Sequence, residues 1–136
     1  MVGNQTFNWS IRVYYEDTDS GGVVYHSNYL NFMERARTEW LRHLGFEQTY
    51  LKDALNIMFV VHSMQIAFKK SAKFNDMLTI TCELHKVGHS SLEFLQTITL
   101  NQQALVEAQV KLACVNALTF KPVGIPKPIK STMEQT

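Results

Sequence analysis

The stretch NYLNFMERARTEWLRHL, residues 28–44, decides how this chain folds. Tyr29, Phe32, Met33, Ala36, Trp40, Leu41 and Leu44 recur at three- and four-residue spacings, which places them on one face of a helix, and Gly45 follows as a stop. Glu34, Arg35, Arg37, Glu39 and Arg42 fall mostly on the other side, at spacings that let charges on successive turns pair. The apolar stripe is wide and needs something large to cover it. A shorter helical piece over 47–54 is weakened by Thr49 and Tyr50, which are poor helix formers.

The cover comes from strands on either side. Over 8–15 the residues alternate, with Trp9, Ile11, Val13 and Tyr15 on one face. Downstream, 58–68 is rich in β-branched and aromatic residues, and 77–87 sets Leu78, Ile80, Cys82 and Leu84 against Thr79, Thr81, Glu83 and His85. A turn at Gly88-His89 leads to Leu92, Phe94, Gln96, Ile98 and Leu100 on one face, and a turn at Asn101-Gln102-Gln103 leads to a last strand over 104–116. Short turns make these strands antiparallel neighbours. Pro122, Pro126 and Pro128 exclude the end of the chain from a central strand and predict an extended tail from about residue 121. The class is α+β, with one long helix wrapped by a curved antiparallel sheet of about five strands. Such a sheet leaves an edge and a face for partner subunits, so a homo-oligomer, a dimer or a dimer of dimers, is expected.

A length of 136 residues suits one hydrophobic core and a single domain over 1–136. With 46% hydrophobic and 18% charged residues the chain is far from the disordered regime. Thirteen Lys plus Arg against twelve Asp plus Glu leave a net charge of +1, which argues against a nucleic-acid partner. Cys82 and Cys114 lie in apolar alternating runs and are expected as free thiols. Residues 1–5 have no basic start or apolar stretch, and no segment is long enough to span a membrane, so the expected location is the cytoplasm.

Between the first strand and the helix runs YYEDTDSGGVVYHSNY, residues 14–29. It is a polar, glycine-containing loop that carries carboxylates and a histidine into a helix start, where Ser27 or Asn28 is a suitable cap. Unsatisfied N–H groups at a helix start can hold an oxyanion developing on a carbonyl, and they favour a nearby carboxylate in its charged form. On the residues alone a second reading stands beside this one. Asp17, Thr18 and Asp19 shape a turn through their own backbone, Gly21 and Gly22 supply positive φ, and His26 caps or packs.

The run from Arg12 to His26, with Asn28-Tyr29 and Glu34-Arg35-Ala36-Arg37-Thr38-Glu39, resembles the YbgC-type acyl-CoA thioesterases associated with the Tol–Pal envelope system. These lie within the 4-hydroxybenzoyl-CoA thioesterase group of hotdog folds. The resemblance implies a hotdog domain that hydrolyses acyl-CoA to free acid and coenzyme A, with no metal or bound cofactor. It assigns the catalytic carboxylate to Asp19, as nucleophile or general base, and not to Asp17. It also implies that the His26 backbone N–H polarises the thioester carbonyl. Ser20 stands where alanine is usual, and Ser71 where many relatives have proline, which bears on substrate preference.

Tyr25 and Tyr29, beside Asp19, are the expected cleft residues. Lys69 and Lys70, with Lys73, suit the phosphates of coenzyme A, although lysines also protect strand edges. His85 and His89 flank a turn and do not share one ion, and no paired Cys is present, so no metal is expected. No Gly-x-Ser-x-Gly setting and no glycine-rich phosphate loop appears. Two alternatives differ in class. One is a hotdog dehydratase or hydratase; the other is a non-catalytic module that binds acyl carrier protein or envelope-lipid enzymes.

Overall fold

The alternating strands and the amphipathic helix find each other across one sheet face. A computed structural model describes residues 6–135; the leader expectation for residues 1–5 falls outside them. The chain runs through β1 (Thr6–Arg12), a single 3-10 turn (Tyr15–Asp17), α1 (His26–His43), α2 (Gln48–Leu55), β2 (Ile57–Phe68), β3 (Met77–Val87), β4 (Ser91–Leu100), β5 (Gln103–Asn116) and α3 (Lys127–Glu134). The five strands form one antiparallel sheet in the order β1-β3-β4-β5-β2. Leu78, Ile80, Cys82 and Leu84 on β3 and Leu92, Phe94, Gln96 and Ile98 on β4 face inward as their alternation predicts, and meet Tyr29, Phe32, Met33, Ala36, Trp40 and Leu41 of α1.

The ends of the elements follow local chemistry. At the C-terminus of α1 the Gly45 N–H donates to the Arg42 carbonyl and the Phe46 N–H to Leu41, the paired bonds of a Schellman stop, which needs the positive φ of Gly45, +99°. The β4–β5 turn is two residues, Asn101 and Gln102, both with positive φ, as the tight hairpin twist requires. β1 ends at Arg12, so Tyr15 leaves the strand face; it is exposed and stacks on Phe74 at 3.8 Å.

Two expectations need correction. The tail is extended only as far as Pro126, with Val115 bridging to Pro122; it then forms α3, which buries Ile129 and Met133 in the core. Pro128 sits in the first turn of α3, where a missing N–H costs nothing. Arg37, placed by charge on the solvent side of α1, is instead buried. Its Nη1 donates to Gln96 Oε1 at 2.8 Å, while Gln96 Nε2 donates to the Met33 carbonyl and contacts Cys82 Sγ, each at 3.1 Å.

Cys82 and Cys114 are free and buried. Burial pushes the Cys82 thiol from 9.0 up to about 12, against the pull of Arg37 and Gln96, and pushes Cys114 up to about 11. Between the ordinary and the raised values the unfolded chain holds fewer protons than the folded one, so stability falls as pH rises through that window. The urea midpoint should therefore decline from pH 9 to pH 11, and Cys114→Ala should shallow that slope; an unchanged slope would remove Cys114 from the linkage.

Candidate active site

The glycine loop closes on itself before it reaches the helix. Asp19 N–H donates to the Val23 carbonyl at 2.9 Å, Gly22 N–H to the Asp19 carbonyl at 3.0 Å, and Thr18 bridges Val24, which makes a small hairpin with Asp19 at its tip. Gly22 carries a φ of +82° there, a conformation that strains a residue with a Cβ. The Asp19 carboxylate is exposed and accepts one bond, from the Gly21 N–H at 2.8 Å to Oδ1. The turn-shaping reading thus holds for Gly22, for one oxygen of Asp19, and for Asp17 and Thr18, whose side chains bond the backbone of Tyr14 and Tyr15; it fails for Gly21, whose φ is not positive.

Asp17 does different work. Its Oδ2 accepts from the Tyr14 N–H at 2.8 Å, and its carbonyl accepts from the Tyr25 N–H and from Asn28 Nδ2, each at 2.9 Å. These bonds tie the 3-10 turn to the start of α1. They also engage the side chain that was expected to cap it. The helix begins at His26, with Tyr25 in the cap position and no side-chain cap, so its first N–H groups are left available. Asn28 N–H donates to the Tyr25 carbonyl at 2.8 Å, while His26 and Ser27 precede any intrahelical acceptor.

A third segment completes the frame. Val24 N–H donates to the Ala72 carbonyl at 2.9 Å, Val23 bridges Lys73, and the Ala72 N–H donates to the Tyr29 hydroxyl at 2.8 Å. The site residues read from sequence therefore divide. Asp19 on the hairpin and Tyr25 and His26 at the helix start are exposed, with the Tyr25 and His26 rings 4.6 Å apart. Tyr29 is buried, and burial pushes its phenol up while its oxygen accepts from the Ala72 N–H, so its hydroxyl is engaged as a brace between α1 and the 72–73 segment. Lys69 and Lys70 follow β2 with both N–H groups on the Leu105 carbonyl; Lys69 Nζ lies 3.1 Å from Glu107 Oε1, the strand-edge arrangement, and Lys70 is exposed.

Sequence reasoning did not single out Phe68, whose ring lies 6.0 Å from His26 and 5.8 Å from Tyr29. Its alternation with Ile66 on β2 carried that signal. His85 pairs with Glu83 at 3.1 Å, apart from this site.

An exposed carboxylate, an imidazole and a set of free N–H groups at a helix start can bring a base or nucleophile to a carbonyl whose oxygen is stabilised as it becomes negative. The comparisons with known proteins agree in kind. The family profile described as "Thioesterase superfamily" matches residues 21–107, which begins just past Asp19. An acyl-CoA thioesterase YbgC of Haemophilus influenzae is 45% identical over 92% of this chain and 92% of its own length; one from Helicobacter pylori is 35% identical over 90% and 96%. A crystal structure of a probable thioesterase from Bartonella henselae superposes with a TM-score of 0.86 at 36% identity, covering 90% of this chain and all of that one.

Tyr29→Phe keeps the ring and removes the acceptor for Ala72. Leaving that buried N–H unsatisfied costs about 1–3 kcal/mol, so the urea midpoint should drop while α1 keeps its circular dichroism. An unchanged midpoint would show that this bond does not hold the frame.

Proposed function

This chain belongs to the thioesterase superfamily, and we propose that it hydrolyses acyl-CoA to the free acid and coenzyme A, with Asp19 as the carboxylate that acts on the thioester. The observation that carries this reading is the exposed Asp19 carboxylate on a tight hairpin whose chain leads through Tyr25 into an uncapped helix start. In one route Asp19 attacks the carbonyl carbon, the C–S bond breaks, and water cleaves the mixed anhydride; in the other Asp19 takes a proton from the water that attacks. In both, the N–H groups of His26 and Ser27 stabilise the oxyanion. The His26 ring, held between Tyr25 and Phe68, orients this end of the cleft. Water is the only co-reactant, and no metal or bound cofactor takes part.

Tyr25, Tyr29 and Phe68 form one wall of the acyl cleft, and Lys70 is better free than Lys69 to meet a phosphate of coenzyme A. The free, buried thiols fit a cytoplasmic protein. Among the described residues no helix is long and apolar enough to cross a membrane.

Asp19→Asn is isosteric and should lower kcat by about 100- to 10,000-fold while leaving the fold and most binding intact. Asp17→Asn should be milder on turnover, because its side chain serves the Tyr14 N–H. Thiol release followed with a trapping dye checks both, and wild-type kcat in Asp19→Asn would remove Asp19 from the mechanism.

The site as one chain builds it is an open surface: Asp19, Tyr25, His26 and Phe68 are all exposed. β2 is an edge strand of twelve residues with Val61 and Phe68 about half exposed, a surface that invites pairing. The functional unit is then a homo-oligomer, at least a dimer, with the neighbour closing the cleft. Specific activity should fall on dilution in step with dissociation measured by sedimentation, before the chain unfolds. A fully active monomer would overturn this part of the reading.

A further inference from the structure

Arg37 is 8% exposed and lies against Gln96, whose other contacts, the Met33 carbonyl and Cys82, are neutral. Among the described residues no carboxylate stands within 4.0 Å of its guanidinium; Glu34, one turn back and exposed, acts on it only through space. A buried cation ordinarily has an anion beside it, because desolvation costs several kcal/mol. A guanidinium has five N–H donors, and here only Nη1 is engaged within the described residues. None of the described side-chain nitrogens is sealed away without a partner, so the remaining donors reach open space.

That space is a cavity of about 380 Å³ between α1, α2 and β2, lined by Arg37 with Trp40, Leu41, Phe59, Val61 and Leu112, and with Glu34 and Gln48 also on its wall. The volume lies within the range of small-molecule sites. Aromatic and aliphatic side chains beside a guanidinium that no carboxylate contacts, with Glu34, Thr38 and Gln48 at the polar end, match an apolar body that ends in a carboxylate, the group a planar fork of donors grips with two bonds. Arg37 lies about 16 Å along α1 from His26, taking 1.5 Å of rise per residue, so this place is distinct from the reaction centre.

We propose that this cavity binds an apolar molecule ending in a carboxylate, its charge on Arg37 and its body against Trp40, Phe59 and Val61. Two sources share that chemistry: a free carboxylic acid of the kind thioester hydrolysis releases, or the distal carboxylate of a dicarboxylic acyl chain still on its thioester. The second source alone rests on the thioesterase reading.

The test titrates decanoate and decanol against the full chain carrying Trp9→Phe, with Trp40 fluorescence as the readout. Decanoate should bind saturably and at least tenfold tighter than decanol, and Glu34→Gln should tighten it two- to threefold. Arg37→Met should erase the difference between the two ligands. Should that variant fail to fold, Val61→Phe fills the cavity from its apolar side, adds no second tryptophan, leaves Arg37 and Gln96 in place, and should abolish decanoate binding. A ten-carbon ω-carboxyacyl-CoA turned over with higher kcat/KM than decanoyl-CoA, in an Arg37-dependent way, assigns the site to the substrate. Equal turnover with retained decanoate binding assigns it to the free acid. Equal binding of decanoate and decanol, or decanoate binding unchanged by the folded variants, overturns the proposal. Absence of decanoate binding, with dissociation of the oligomer on Arg37→Met, assigns the guanidinium to a contact between copies and overturns it as well.

Discussion

Tyr29, Phe32, Met33, Ala36, Trp40 and Leu41 make α1 too apolar on one side to face water, and their burial against β3 and β4 is the constraint the other features answer to. Full burial of a large apolar side chain contributes about 1.5–3 kcal/mol, so this seam outweighs any single polar bond in the molecule. It also fixes where the helix begins. With Tyr29 and Phe32 seated on the sheet, His26 is set at the end of β2, next to Phe68.

From that seating the loop geometry follows. The hairpin around Asp19 is held by Val24, which is buried in the core, and by backbone bonds to two neighbours: Asp17 to Tyr25 and Asn28 on one side, and Val23 and Val24 to the 72–73 segment on the other. Tyr29 links the two supports, because the same side chain packs in the helix seam and accepts the Ala72 N–H. The carboxylate is left with one internal bond, and the helix end is left without a cap. A helix that spent its first N–H groups on a side-chain oxygen would be more stable and would have less to offer a developing negative charge.

The strand pairs and the inward faces of β3 and β4 were legible because a period of two, broken by short turns, has few other solutions. The helix start was less so. Ser27 and Asn28 are good caps by type, but Asn28 is engaged by a carbonyl eleven residues earlier in the chain, a contact no local pattern records. Arg37 was misplaced for a related reason. Its charge sorted it to solvent, while the partner that makes burial tolerable, Gln96, lies 59 residues away on β4. Gln96 itself sat in the inward-facing register and was the visible hint. For α3, the prolines were read as breakers when one of them occupies the helical position that suits it. Around the loop, the polar turn that feeds the helix was legible; the bond from the Ala72 N–H to Tyr29 and the contact of the Phe68 ring with His26 depend on packing between distant segments.

The sheet order has a consequence during synthesis. β2 is made early, yet it pairs only with β5, so Ile57 waits for Asn116 and Phe68 for Val106. β1 likewise waits for β3. While the ribosome adds the residues between, β2 is a twelve-residue apolar strand with neither edge occupied. Non-local pairing of this kind forms more slowly than a local hairpin such as that between β4 and β5. Expression at low temperature or slower translation late in the chain would then change yield through the lifetime of that unpaired strand, without altering the stability of the finished fold.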